Sequence, residues 1–147
     1  MGIFGPKGLT FADVPRDAWL EVLDVNTVAP VRLAQAFVEN VAKSQERLFA
    51  VMSSDLGSVA NTTGGEVIYR TSKAALNMAV ATLAQDLEPR GVRMVAVSPG
   101  WVRTDMGGFD AALSPEESAR GIRATLDSLA KDATGVFVKH DGSSVAW

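Results

Sequence analysis

The sequence lacks cysteine altogether and has one histidine and one tyrosine among its 147 residues. Without cysteine the chain can form neither a disulfide framework nor a thiol nucleophile. Without cysteine or a second histidine, His140 has no partner for a conventional zinc cluster, so we expect no metal site and place His140 at the surface. The absence of cysteine is also compatible with a reducing compartment.

The sequence also has little net charge and few long apolar runs. The net charge is -3 and the isoelectric point is near 5.1, which argues against a sequence-independent grip on nucleic acid or on an anionic membrane. No apolar run approaches membrane-spanning length, and the first residues lack the basic and apolar regions of a secretory signal. We therefore expect a cytoplasmic protein without nucleic-acid or membrane partners.

The sequence also lacks a glycine-rich phosphate-binding fingerprint between a strand and a helix. What it does have is an alternation of helical and strand patterns, which is typical of an α/β fold. Strands are predicted at 47–52, 92–97 and 135–138. Helices are predicted at 17–23, 27–42 and 66–88, and a fourth begins with the capping box Ser114-Pro115-Glu116-Glu117 and runs to about residue 129. No linker divides these elements, so residues 1–147 are expected to form a single domain.

The most informative stretch pairs Tyr69 with Lys73, four residues later. That spacing is one helical turn, so both side chains lie on the same face and the ammonium is expected to lower the pKa of the phenol. Ser53 and Ser54 follow the apolar run LFAVM. A hydroxyl at the end of that predicted strand could help to polarise the carbonyl oxygen of a substrate. The structural alternative is that Tyr69 starts a helix and the Lys73 stem covers its apolar surface.

These residues resemble a catalytic tetrad of the short-chain dehydrogenase/reductase family. In the family's order, the chain offers Asn26 in DVNTVAP, Ser54 in MSSDLGS, and Tyr69 and Lys73 in YRTSKAALN. SPGWVRTDMGG resembles the family's Pro-Gly motif, and the ending DGSSVAW is similar to family endings. The carbonyl-reductase-like and C-factor-like members are the most similar. One departure is mild, since Ser54 precedes Tyr69 by 15 positions, about two more than the commonest family spacing.

The resemblance implies an NAD(P)-binding, Rossmann-like, doubly wound parallel sheet of which this chain is the C-terminal part. The opening GIFGPKGLTFADVP resembles the loop that follows the family's fourth strand, so the glycine-rich, adenosine-binding half has no counterpart here. The implied cofactor is NADP or NAD, with NADP slightly favoured. The implied reaction transfers a hydride between it and a small carbonyl or alcohol substrate.

The resemblance also implies a role for each residue. Tyr69 would exchange a proton with the substrate oxygen, Ser54 would steady that oxygen, and Lys73 would contact the nicotinamide ribose. Asn26 would hold a water beside Lys73. The cofactor contacts carried over are Asn26, Tyr69, Lys73, Pro99, Gly100, Val102 and Thr104, the last through its hydroxyl.

Alternatives stay open for several of these residues. Asn26 could instead cap or bend a helix, and Ser58 could be better placed than Ser54. Gly107 and Gly108 are expected to give a substrate loop its freedom, although they could be ordinary turn residues. At the level of the whole chain, we expect a homodimer through the long helices, and the alternative to a reductase is a non-catalytic interaction or dimerisation module.

Overall fold

The structure is a computed structural model that describes residues 2–147. Its centre is a three-stranded sheet in the order β1-β2-β3, with β1 at Leu48–Met52, β2 at Arg93–Ser98 and β3 at Val136–Lys139. Both strand pairs are parallel. The predicted strands are therefore confirmed to within one residue at each end.

Four α-helices surround the sheet. They are α1 (Arg16–Leu23), α2 (Ala29–Ala42), α3 (Val67–Asp86) and α4 (Pro115–Ser128). The predicted capping box is present, because the Ser114 hydroxyl accepts from the Glu117 amide while the Glu117 carboxylate accepts from the Ser114 amide. A hydrogen-bonded pair of this kind fixes the first turn of α4.

The central strand β2 is buried along its whole length, and its side chains alternate between two cores. Met94 and Ala96 pack with Val80 and Ala84 of α3 on one face. Val95 and Val97 pack on the other face, where the apolar side of α4 covers them. Helices thus lie on both faces of a parallel sheet, as a doubly wound fold requires.

The first two helices differ from the expectation of two separate segments. Residues Asp24–Val28 form a π-helical turn that joins α1 to α2 without a break, and the Ala29 amide bonds to the Asp24 carbonyl five residues back. Such single wide turns are frequent at functional sites. Pro30 follows at the second position of α2, where its missing amide hydrogen is tolerated.

The last residues pack back on the chain itself. The Trp147 ring stacks on Phe137 of β3 with ring centroids 5.4 Å apart, and the Ala60 amide donates to the Trp147 carbonyl. Among the four α-helices of residues 2–147, none is long and apolar enough to cross a membrane.

Candidate active site

Tyr69 and Lys73 lie in the first two turns of α3 and are both buried, with 8% and 4% of their surface exposed. The Lys73 ammonium donates to the Met52 carbonyl at the end of β1 at 3.0 Å. It lies 5.8 Å from the centroid of the Tyr69 ring. Lys73 forms no ion pair with any carboxylate of residues 2–147, so its head group is held by backbone rather than by a counter-charge.

Of the candidate hydroxyls, Ser54 is the one that reaches Tyr69. It follows β1, accepts from the Leu56 amide at 3.2 Å, and is the side chain whose interaction with the phenol opposes the effect of burial on the Tyr69 pKa. Ser58 instead donates to the Ala146 carbonyl at 2.6 Å, and Ser53 donates to Asn77. The geometry therefore favours Ser54 over Ser58 as the partner of Tyr69.

The pKa of Tyr69 does not follow the expectation from its spacing to Lys73. Burial is the largest influence and raises the pKa of the phenol, and the Ser54 hydroxyl offsets only part of that rise. Burial also lowers the pKa of Lys73 to about 8. A desolvated lysine that is itself reluctant to carry charge stabilises a phenolate less. The sequence predicted that Lys73 lowers the pKa of Tyr69, but the pKa is raised and Lys73 is not among its causes. The Tyr69 phenol is therefore protonated at neutral pH.

Asn26 is fully buried in the π-helical turn. Its side-chain oxygen accepts from the Ile3 amide at 2.9 Å, and its nitrogen donates to the Ile3 carbonyl at 2.8 Å and to the Ser72 hydroxyl at 3.0 Å. Gly2 lies between Asn26 and Lys73, since a Cβ there would be 2.9 Å from Asn26 Oδ1 and 3.3 Å from Lys73 Nζ. Asn26 thus ties the opening segment to α3 beside Lys73.

Sequence analysis missed Phe4 at this site. Its ring stacks on that of Tyr69 with centroids 4.6 Å apart and an angle of 21° between the planes, and the Lys7 ammonium lies 5.2 Å from the Phe4 centroid. Lys7 also donates to the Met106 carbonyl. No spacing rule links residue 4 to residue 69. The one available signal was an aromatic residue in a glycine- and proline-rich opening segment, which could have indicated a contact with the site.

Pro99, Gly100, Val102 and Thr104 form the loop after β2, at the same carboxyl edge of the sheet as Ser54. Gly100 has a φ of +77°, and a Cβ there would lie 2.8 Å from Leu113 and 2.9 Å from the imidazole of His140, so glycine is needed. The Thr104 hydroxyl is engaged within the loop, where it accepts from the Gly107 amide at 3.2 Å. The four residues therefore share one edge with the candidate tetrad, but no hydrogen bond among the described residues joins them to it directly.

Two expectations about this loop and its surroundings are wrong. Gly107 is not there to make the loop flexible. A Cβ at this position would lie 2.0 Å from the Val102 carbonyl, so the close approach of the backbone excludes any side chain. His140 is half-buried rather than at the surface. Its Nδ1 is covered and has no hydrogen-bond partner among the described residues, since the ring packs beneath Gly100.

Comparisons with known proteins agree with this architecture. The family model described as enoyl-(acyl carrier protein) reductase matches residues 1–133. C-signal of Myxococcus xanthus is 40% identical over 146 residues, which cover 97% of this chain and 88% of C-signal. The 1-hydroxy-2-glutathionyl-2-methyl-3-butene dehydrogenase of Rhodococcus sp. (strain AD45) is 32% identical over 130 residues, which cover 85% of this chain and 57% of the dehydrogenase.

Solved structures match over the whole chain. Carbonyl reductase Sniffer of D. melanogaster superposes with a TM-score of 0.92 at 40% identity, and the match covers 100% of this chain and 64% of Sniffer. The NADPH-bound carbonyl reductase from chicken fatty liver superposes with a TM-score of 0.90 at 32% identity, covering 63% of that enzyme. This chain spans less than two thirds of either structure. With the Rossmann-like parallel sheet and the family match, these findings show that the chain belongs to the short-chain dehydrogenase/reductase family, among its carbonyl-reductase-like members.

Proposed function

We propose that this chain is the catalytic part of an oxidoreductase that transfers a hydride between NADP or NAD and a small carbonyl or alcohol substrate. The observation that carries the proposal is the burial of Tyr69 and Lys73 on one face of α3 with the Ser54 hydroxyl beside the phenol. This arrangement lies at the carboxyl edge of a parallel sheet, which is where doubly wound folds bind their ligands.

The residues present fit the nicotinamide end of such a cofactor. A side chain at position 2 would collide with Asn26 and Lys73, so glycine keeps the backbone close to both groups. The loop from Pro99 to Thr104 borders the same edge of the sheet. Lys73, Asn26, Pro99, Gly100, Val102 and Thr104 would hold this end, and the bound nicotinamide would supply or accept the hydride. Residues 2–147 contain no glycine-rich turn between a strand and a helix for the pyrophosphate. NADP is slightly favoured, since structures of the chicken enzyme and of a Burkholderia multivorans relative hold NADPH and NADP.

In the reduction direction, Tyr69 would donate its proton to the developing alkoxide. Its raised pKa keeps the phenol protonated at neutral pH, so the proton is present on the donor, but the phenol is a weaker acid than one whose pKa lies near the working pH. Ser54 would donate a hydrogen bond to the substrate oxygen and orient it towards Tyr69. Lys73, whose pKa of about 8 allows both charge states near neutrality, would return a proton to the phenol, while Asn26 would hold a water beside it.

Cofactor binding is the first test. The purified chain would be titrated with NADPH and then NADH while nicotinamide and tryptophan fluorescence are followed, and carbonyl reduction would be assayed afterwards. We expect saturable binding in the micromolar range, weakened in Lys73→Ala and unchanged in Lys43→Ala, which removes an exposed lysine. Tyr69→Phe should bind cofactor and lose reduction.

An interaction or dimerisation module is the second candidate. The sheet of residues 2–147 pairs β1 with β2 on one side only, which leaves backbone groups of an apolar strand available to a partner. C-signal, of which the match covers 88%, is a relative of comparable length. A folded chain that binds neither NADPH nor NADH at millimolar concentration would overturn the reductase proposal for this chain and favour the module.

A further inference from the structure

A polar cavity of about 310 Å³ opens at the carboxyl edge of the sheet, beyond the candidate active site. Its volume is at the lower end of the range for small-molecule sites. Its wall comes from the ends of two strands, the start of α3, the loop before α3 and the C-terminal segment, and includes Asp55, Asn61, Thr63, Arg70, Lys139 and Ser144.

The charges around this cavity do not balance. Lys139 at the end of β3 pairs with Asp55 after β1 at 3.1 Å. Arg70 forms no ion pair with any carboxylate between residues 2 and 147, although the protein as a whole carries a net charge of -3. The cavity wall therefore has an excess of one positive charge, and that charge belongs to Arg70.

Arg70 is held in place by neutral groups. One terminal nitrogen donates to the Leu56 carbonyl at 3.4 Å and the other to the Thr63 hydroxyl at 3.1 Å. Its Nε is buried without a hydrogen-bond partner in the described part of the chain, and so is Oδ1 of Asp55. Both atoms are covered, so the side-chain atoms left for a ligand in the cavity are the terminal nitrogens of Arg70 and Oδ2 of Asp55.

We infer that this cavity binds a small organic anion that carries both a carboxylate and a hydroxyl group. The carboxylate pairs with the fixed guanidinium of Arg70, whose planar fork suits two-point contact with carboxylate oxygens. The hydroxyl donates to Asp55, which as a carboxylate can only accept. The inference does not rest on the proposed reductase activity, because binding here needs no cofactor.

Nuclear magnetic resonance tests this site on the whole chain, because the Nε–H group of an arginine gives its own signal. L-malate is the probe, and succinate is its matched control because it differs by the hydroxyl alone; ionic strength is held constant. We expect saturable shifts of the Arg70 Nε–H signal and of the Asn61 and Ser144 amides with malate, and affinity at least tenfold weaker for succinate.

Three variants distinguish a specific binding site in this cavity from nonspecific attraction of anions to positive charge. Arg70→Lys keeps the charge without the fork and should weaken malate binding at least tenfold, and Ser144→Glu places a carboxylate at the exposed rim and should abolish it. Arg123→Lys, at an exposed arginine of α4, should bind as wild type does. Shifts that do not saturate at tens of millimolar, or binding retained in both site variants, would overturn the anion site. Equal affinity for succinate would overturn the assignment of the hydroxyl to Asp55.

Discussion

Burial determines the protonation states of Tyr69 and Lys73. Both side chains sit where water is largely excluded, and for each one the burial disfavours its charged form. The phenol is therefore a weaker acid and the ammonium a stronger acid than in water. The water is excluded by contacts of the folded chain, among them the Phe4 ring that stacks on Tyr69.

Tyr69 is the single tyrosine, so ultraviolet absorbance of the ionised phenol reports its pKa directly. We expect the midpoint of the titration to lie above the usual value of 10.0, because burial penalises the phenolate. Phe4→Ala should shift the midpoint back towards that value, since it uncovers one face of the ring.

Phe109→Ala is the control for this titration. Phe109 is 98% exposed on the loop after β2, so its removal should leave the Tyr69 midpoint unchanged. A wild-type midpoint at or below 10.0 would contradict the dominant effect of burial and restore the idea that Lys73 lowers the phenol pKa.

Lys73 should make the stability of the fold depend on pH. Its pKa falls from 10.5 to about 8 on folding, so between those values the unfolded chain binds more protons than the folded one. The free energy of unfolding should therefore rise with pH in this window, by about 2 kcal/mol between pH 8 and pH 10, and the full penalty of burying the charge remains below pH 8.

Urea unfolding at a series of pH values measures this slope, with Tyr69→Phe as the background because Tyr69 titrates in the opposite sense above pH 10. Lys73→Met should remove the rise, and Lys43→Met, at an exposed lysine, should keep it. A flat profile for the Tyr69→Phe background would show that Lys73 stays hydrated in the folded chain.

The elements differ in how far local sequence determines them. The strands and α4 could be predicted to within about a residue at each end because apolar runs and the Ser114 capping box are local signals. The π-helical turn could not be predicted. It depends on Asn26 bonding to Ile3 and Ser72, which lie 23 and 46 residues away in the chain.

The capping box gives a prediction for α4. Ser114→Ala removes the acceptor for the Glu117 amide and should lower the free energy of unfolding by about 1 kcal/mol. Denaturant unfolding measures the change. Ser128→Ala, at the other end of the helix, removes a hydroxyl that bonds only within the last turn and should cost clearly less. Equal losses would mean that α4 is held by its packing on β2 and β3 rather than by its cap.

At the scale of the whole molecule, α2 and α3 expose large apolar side chains. Leu33 and Phe37 on α2 are 56% and 52% exposed, and Met78 on α3 is 68% exposed. Exposed apolar groups on long helices are typical of surfaces that meet another protein. The homodimer through the long helices remains a prediction, and these side chains are its best support.

Phe37→Glu should convert a dimer to a monomer, because a carboxylate would have to be buried in the contact. Light scattering after size-exclusion chromatography measures the mass directly. Phe109→Glu is the matched control, since Phe109 is equally apolar and lies on a loop away from α2. A wild-type chain that elutes as a monomer at all concentrations would contradict the predicted dimer.

The α/β class and the order of the elements could be predicted from local sequence, because periodicity and caps are properties of neighbouring residues, and the candidate tetrad followed from the resemblance of its motifs to those of the family. The tertiary structure decided which hydroxyl stands beside Tyr69, that Phe4 covers it, and that His140 packs beneath Gly100. It also decided the direction of the Tyr69 pKa, since desolvation depends on every group packed around a side chain. Such contacts join residues far apart in the chain, and local sequence carries no signal for them.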